Sequence, residues 1–275
     1  MRINKQNNQR RLFIAVLLLN AFAFAESWKR IDDGLSVASF AASQKSHTGH
    51  SKITVVRINP KHYALKVLCA AELDSTNRTA KQWCRDYKMI AAINAGMYGK
   101  DYSTHVGYLK NFKHINSARI LKNYKAVLAC NPVSRDVPDV QIIDMECQNF
   151  SRLMHKYNSL IQNIRMVSCE QKNVWGKQKE RYSLAALAMD KSGNVLFLFS
   201  ESPCTVHAFI NMILQLPLSI KNAMYLEGGS PAALYLKSDD YVLEKNGIYE
   251  TGEKNGSSLS LPRALPNVIG IVRKR

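Results

Sequence analysis

Residues 221–236 read KNAMYLEGGSPAALYL. An apolar run from Ala223 to Leu226 stops at Glu227, passes through Gly228, Gly229, Ser230 and Pro231, and resumes as a second apolar run. A buried strand that ends this way carries a carboxylate to the edge of a sheet. The backbone that follows has no side chains, so a ligand can approach its N–H groups. A tight turn with a surface glutamate would look the same in isolation. The earlier stretch MIAAINAGMYG, 89–99, repeats the pattern, with Asn94 at the strand end and Gly96 behind it.

Working outward, NVLFLFSES (194–202) is a strand and TVHAFINMILQL (205–216) a helix capped by Thr205, with Val206, Phe209, Ile210 and Ile213 on one face. The strand ending at Glu227 follows. KITVVRINP (52–60) and YALKVLCAAE (63–72) read as two strands paired through a turn at Asn59–Pro60, followed by a helix capped by Thr79 and the strand ending at Asn94. The order strand, helix, strand, glycine break thus occurs twice, over Leu65–Asn94 and Leu196–Glu227, the pattern either of an internal strand-helix-strand duplication or of two unrelated units of common size. YKAVLACN, VQIIDME, SLAALAMD and the terminal NVIGIVRKR add further strands. The expected fold is α+β: a single domain with a large mixed β-sheet core and crossover helices, ligands gathering at the carboxyl ends of the strands.

The first 25 residues place Arg2, Lys5, Arg10 and Arg11 before an apolar run that closes on Ala23-Phe24-Ala25. This is the pattern of a secretory signal peptide cleaved after Ala25, with an uncleaved membrane anchor as the alternative. Residues 26–52 form an N-terminal lead-in and 53–275 the domain. No later run approaches the ~20 apolar residues of a spanning helix, so no transmembrane segment is expected after cleavage. Secretion or a periplasmic location is expected, where the six cysteines, Cys69, Cys84, Cys130, Cys147, Cys169 and Cys204, can form at least one disulfide. Their spacing fits no zinc motif, and no metal site is assigned, although a divalent cation stays open as a cofactor. The net charge of +17 falls to +13 without the four basic residues of the signal. That excess is spread along the chain, without the basic and aromatic interleaving of a nucleic-acid surface, and suits anionic partners such as phosphate-bearing glycans.

Residues that could carry chemistry cluster near the breaks. His105, Gly107 and Lys110 follow Asn94 closely, Gln162 and Arg165 lie in QNIRMVS, and Arg181 precedes a strand. An arginine at a strand mouth can bind a phosphate through two parallel N–H bonds. No Gly-x-Ser-x-Gly elbow, His-Glu-x-x-His or P-loop is present, which removes lipase-like, zincin-like and nucleotide triphosphatase chemistry.

The series AAINAGMYG, GYLKN, YKAVLACN, QNIRMVS, RYSLAALAMDKSGNVLFLFS and NAMYLEGGSPAALYL resembles the phosphodiester glycosidase family over about residues 53–272. That resemblance implies cleavage of a sugar-1-phosphodiester, with Asn94, Arg165, Arg181 and Glu227 as catalytic residues. Gly96, His105, Lys110, Gly228, Gly229 and Ser230 would then bind substrate. Ala95 stands where the family has a first glycine, Met97-Tyr98 where it has aromatics, Glu227 where aspartate is commoner, and Pro231 follows the serine. Two other classes remain: a catalytically silent glycan- or phosphate-binding envelope protein, and a secreted effector that binds an acidic partner.

Overall fold

The computed structural model describes residues 28–43, 51–249 and 261–274. The expected signal peptide lies outside these. The chain runs β1 (Lys29–Asp32), β2 (Leu35–Ala41), β3 (Lys52–Ile58), β4 (Tyr63–Cys69), α1 (Ala80–Asp86), β5 (Ala91–Asn94), β6 (Leu109–Asn111), β7 (His114–Ser117), β8 (Ala126–Pro132) and β9 (Val140–Asp144). It continues with α2 (Phe150–Leu153), β10 (Tyr157–Asn163), β11 (Arg165–Val167), β12 (Tyr182–Asp190), β13 (Val195–Cys204), α3 (Val206–Gln215), β14 (Ile220–Gly228), β15 (Ala233–Ser238), β16 (Tyr241–Asn246) and β17 (Asn267–Arg273). Among the described residues no helix is long and apolar enough to cross a membrane.

Strands dominate, and they form three sheets instead of one. A seven-stranded sheet has the order β1-β2-β3-β13-β12-β14-β11, and two five-stranded sheets have the orders β7-β6-β10-β8-β9 and β16-β15-β5-β17-β4. Neighbouring strands pair antiparallel throughout. The expected large mixed sheet is therefore corrected to three antiparallel ones. The expected pairing of β3 with β4 is corrected too. β3 lies between β2 and β13, and β4 pairs with β17 in another sheet. The lead-in supplies β2, which takes the edge of β3 that β4 was expected to occupy.

The two strand-helix-strand units share one plan. β4 and β5 flank β17, as β13 and β14 flank β12, so each helix crosses over one intervening antiparallel strand. Both helices start where a threonine hydroxyl takes up an otherwise orphaned N–H. Thr79 accepts from Gln82 N at 3.2 Å within a capping box, and Thr205 accepts from Ala208 N at 3.1 Å.

Alternation along β12 shows how the layers stack. Ala185, Leu187 and Met189 face a core shared with both smaller sheets, where they meet Val56, Phe197, Leu128, Ile93 and Ile269. Leu184, Ala186 and Ala188 face the other way, onto Phe209, Ile210 and Ile213 of α3. Each fully buried Val, Leu, Ile, Phe or Met among these contributes about 1.5–3 kcal/mol. Trp83 of α1 covers the outer face of the β5 sheet. This stacking brings the carboxyl ends of β5 and β14 to one edge of the core.

Candidate active site

The end of β14 does not continue its own alternation. Tyr225 pairs with Ala186 and Glu227 with Ala185, so Leu226 is the extra residue of a β-bulge. Without the bulge Glu227 would share the α3 side with Tyr225. With it, Glu227 is in register with Ala185, whose side chain belongs to the inter-sheet core. Burial pushes the Glu227 carboxyl up to about 7, against the Gly228 N–H and the Arg263 charge, which both favour the ionised form. Its Oε1 accepts that Gly228 N–H at 3.0 Å.

The glycines behind Glu227 leave room for aromatic rings. A Cβ on Gly228 would lie 2.3 Å from the Tyr182 ring, and one on Gly229, where φ is +68°, would lie 2.1 Å from the Tyr249 ring. Gly229 N donates to Ser183 O at 2.9 Å. The amides of Gly228 and Gly229 are thus both engaged within the protein, which corrects the expectation that a ligand would use them. The Tyr182 and Tyr249 rings meet edge on with centroids 6.3 Å apart.

Glu227 sits in a group of tyrosines. Burial first, and the Glu227 charge as well, raise the hydroxyl pKa of Tyr225, Tyr124, Tyr249 and Tyr98, while Arg263 acts in the opposite sense on Tyr98 and Tyr249. Ser230 Oγ, three residues beyond Glu227, accepts from Arg263 Nη1 at 3.1 Å.

Asn94 ends β5 and is joined to the same turn, because its Oδ1 accepts from Ala233 N at 3.1 Å. Its Nδ2 is buried without a partner. Gly96 has φ +141° and is packed by Asn163 and His105, whose atoms would lie 2.3 and 2.7 Å from a Cβ placed there. Asn163 Nδ2 donates to Ala95 O at 2.8 Å, which leaves its buried Oδ1 unpartnered. His105 is 1% exposed, and burial lowers its pKa to about 4, so it is neutral. Its Nε2 lies 2.9 Å from Gln162 O and must donate to that carbonyl, so Nδ1 holds the lone pair and has no partner. Two residues past Gly96, Tyr98 reaches the surroundings of Glu227.

Other expected residues make contacts of their own. Arg165 pairs with Met224 along β11–β14, but its Nη1 donates to Asp144 at 2.7 Å. Asp144 is 1% exposed and also accepts the Cys169 N–H at 2.9 Å. Cys169 is disulfide-bonded to Cys147. Arg181 donates through Nη2 to Pro203 O at 3.1 Å. Lys110 stands in β6 between Leu160 and Ile115, and no hydrogen bond or ion pair among the described residues ties it to Glu227. Asp144, Cys147 and Cys169 place potential metal-ligand atoms within 4.8 Å of one another. The disulfide removes the thiolates and Arg165 neutralises the carboxylate, so the group does not fit a metal ion.

The profile of the phosphodiester glycosidase family matches residues 87–272. The chain belongs to the phosphodiester glycosidase family. The match begins at the end of α1 and closes in β17, so it contains both glycine breaks. Among curated proteins, none matches in sequence. A hypothetical protein from Synechocystis has a similar structure with TM-score 0.63 at 13% identity, over 92% of this chain and 65% of its own. The chain thus spans about two thirds of that protein's length. The zebrafish N-acetylglucosamine-1-phosphodiester α-N-acetylglucosaminidase catalytic domain, auto-inhibited by its pro-peptide, has TM-score 0.60 at 12% identity, over 91% of this chain and 87% of its own. At such identities these two share the fold of this phosphodiester glycosidase family member.

Five residues beside the breaks were not singled out in the sequence. Tyr124, Tyr182, Tyr249, Asn163 and Arg263 come from five separate segments. Tyr124 opens the quoted YKAVLACN, Asn163 lies within QNIRMVS and Tyr182 follows Arg181 in RYSLAALAMD, whereas Tyr249 and Arg263 stood in no quoted stretch.

Proposed function

We propose that this protein is an exported hydrolase that cleaves a sugar-1-phosphodiester in an envelope or extracellular glycan, in a secreted or periplasmic setting. The observation that carries the reading is Glu227. A bulge sets it in register with Ala185 of the inter-sheet core, its charge is felt by Tyr98, Tyr124, Tyr225 and Tyr249, and burial raises its pKa to about 7. A base that titrates near the working pH is well matched to proton transfer from water. Tyrosine faces pack against the apolar faces of a sugar ring, and the unpartnered Asn94 Nδ2 is a donor for one of its oxygens.

In the proposed step a water oxygen bonds to the anomeric carbon as the bond from that carbon to the phosphate oxygen breaks. The water proton passes to Glu227, and the phosphate monoester leaves with the bonding electron pair. Such a leaving group needs little protonation, which accounts for one carboxylate where glycosidases ordinarily use two. His105 and Gly96 fix the wall behind Asn94. Arg165 and Arg181, held by Asp144 and by Pro203 O, brace the strands around the site. Membership of the phosphodiester glycosidase family supports this reading.

Purified protein incubated with a synthetic methyl sugar-1-phosphodiester should release free sugar. Binding of that diester without release, across a panel of sugars, would favour the silent binding protein instead.

A further inference from the structure

Arg165 and Arg181 are the arginines that the sequence offers for a phosphate, and both are engaged within the protein. The charge of Arg165 is already matched by the buried carboxylate of Asp144 at 2.7 Å. Arg181 is turned to the Pro203 carbonyl on β13. The charge that favours the ionised form of Glu227 is that of Arg263.

Arg263 has three properties that suit an anion. Its side chain is exposed and makes no close ion pair with a carboxylate among the described residues, although its charge reaches Glu227. Its Nη1 donates to Ser230 Oγ at 3.1 Å, which fixes it over the turn that begins at Glu227. The group stands 5.9 Å from the Tyr102 ring centroid, a cation–π distance that limits its swing. The segment carrying it is also anchored. Leu265, two residues on, is fully buried and exchanges backbone hydrogen bonds with Arg78 at 2.8 and 3.3 Å, while its carbonyl accepts from Trp83 Nε1 at 3.0 Å.

We propose that Arg263, with the Ser230 hydroxyl beside it, holds the phosphate of the diester and so selects a phosphate leaving group over a neutral one. This rests on the hydrolase reading above. A guanidinium offers two parallel N–H donors to two phosphate oxygens and stays charged at any working pH. Placed next to Glu227, it also offsets the repulsion between that carboxylate and the incoming anion. As the anomeric bond breaks, negative charge grows on the bridging oxygen, and a fixed cation there favours the transition state over the bound substrate.

The test compares kcat/KM on a methyl sugar-1-phosphodiester with kcat/KM on a p-nitrophenyl glycoside of the same sugar, for wild type, Arg263→Gln and Arg165→Gln. In Arg263→Gln the ratio of diester to aryl glycoside should fall by ~10²–10³-fold, with Arg263→Lys falling less, as loss of one anion-stabilising group does elsewhere. Arg165→Gln should leave that ratio within about threefold of wild type. A ratio unchanged in Arg263→Gln, or one that collapses in Arg165→Gln instead, overturns the assignment. Calorimetric binding of the sugar-1-phosphate itself separates the two claims. If wild type turns over nothing but binds this ligand, and Arg263→Gln does not bind it, the hydrolase reading fails and the phosphate subsite stands. If both bind it equally, the subsite fails.

Discussion

Replacing Glu227 by Gln should stabilise the protein at high pH and leave it unchanged at low pH. The folded-state pKa of Glu227 is about 7 against an ordinary 4.5, because burial disfavours the charged form. The folded state therefore holds a proton that the unfolded chain releases between those values. Wild-type stability from this group is fully present below pH 4.5 and is lost as pH rises through about 7. At about 1.4 kcal/mol per pH unit, the roughly 2.5 units amount to about 3–4 kcal/mol. Partial exposure of Glu227 reduces this to about 2 kcal/mol. Gln keeps the size and still accepts the Gly228 N–H, but has no charge to bury. For a chain of this size each kcal/mol shifts Tm by about 2–4 °C, so the variant should melt about 4–8 °C above wild type at alkaline pH. Near pH 4.5 the two should coincide. The assay is a pair of thermal melts by circular dichroism from pH 4.5 to about 8, below the tyrosine range, in which titrating groups not coupled to Glu227 cancel in the difference. A gap that does not change with pH would show that the carboxylate is solvated, and would refute the placement of Glu227 in a desolvated site.

The same variant should lose ~10²–10⁴-fold in turnover on a sugar phosphodiester, as lost proton transfer does elsewhere. For wild type, log kcat/KM should rise with pH and level off with a midpoint about 7, since the base must be ionised to act; a profile that falls through this region would reverse the role to that of an acid. Gly229→Ala should cost about 1–3 kcal/mol, because its φ of +68° and the Tyr249 ring 2.1 Å from the new Cβ both oppose a side chain. Urea melts would check this, and wild-type stability would contradict it. Denatured, unreduced protein should titrate two fewer thiols than reduced protein, on account of Cys147–Cys169; equal counts would remove that bond.

The sequence carried the local elements well, because their causes are local. Thr79 and Thr205 cap α1 and α3 as their hydroxyl chemistry requires, and the apolar runs ending at Asn94 and Glu227 are buried strands. It carried sheet membership poorly. β3, β5 and β12 are buried on both faces, so their residues announce burial without naming a neighbour, and β2 lay in a stretch with no expected strand. The glycine breaks were legible, but their meaning was reversed in part. Gly228 and Gly229 make room for Tyr182 and Tyr249, which approach from segments far from both breaks. The bulge at Leu226 that re-aims Glu227 depends on the register with β12, which no single strand encodes. Arg263 was invisible for the same reason: its relation to Ser230 exists only once β17 has entered the β5 sheet beside β4.

The central claim is that the bond from the anomeric carbon to oxygen breaks, with water as the nucleophile. Hydrolysis of a synthetic sugar-1-phosphodiester in heavy-oxygen water, with mass analysis of both products, tests it most directly. The account predicts label in the released sugar and none in the phosphate monoester. Label in the phosphate would mean attack at phosphorus and a phosphodiesterase, and would contradict the account.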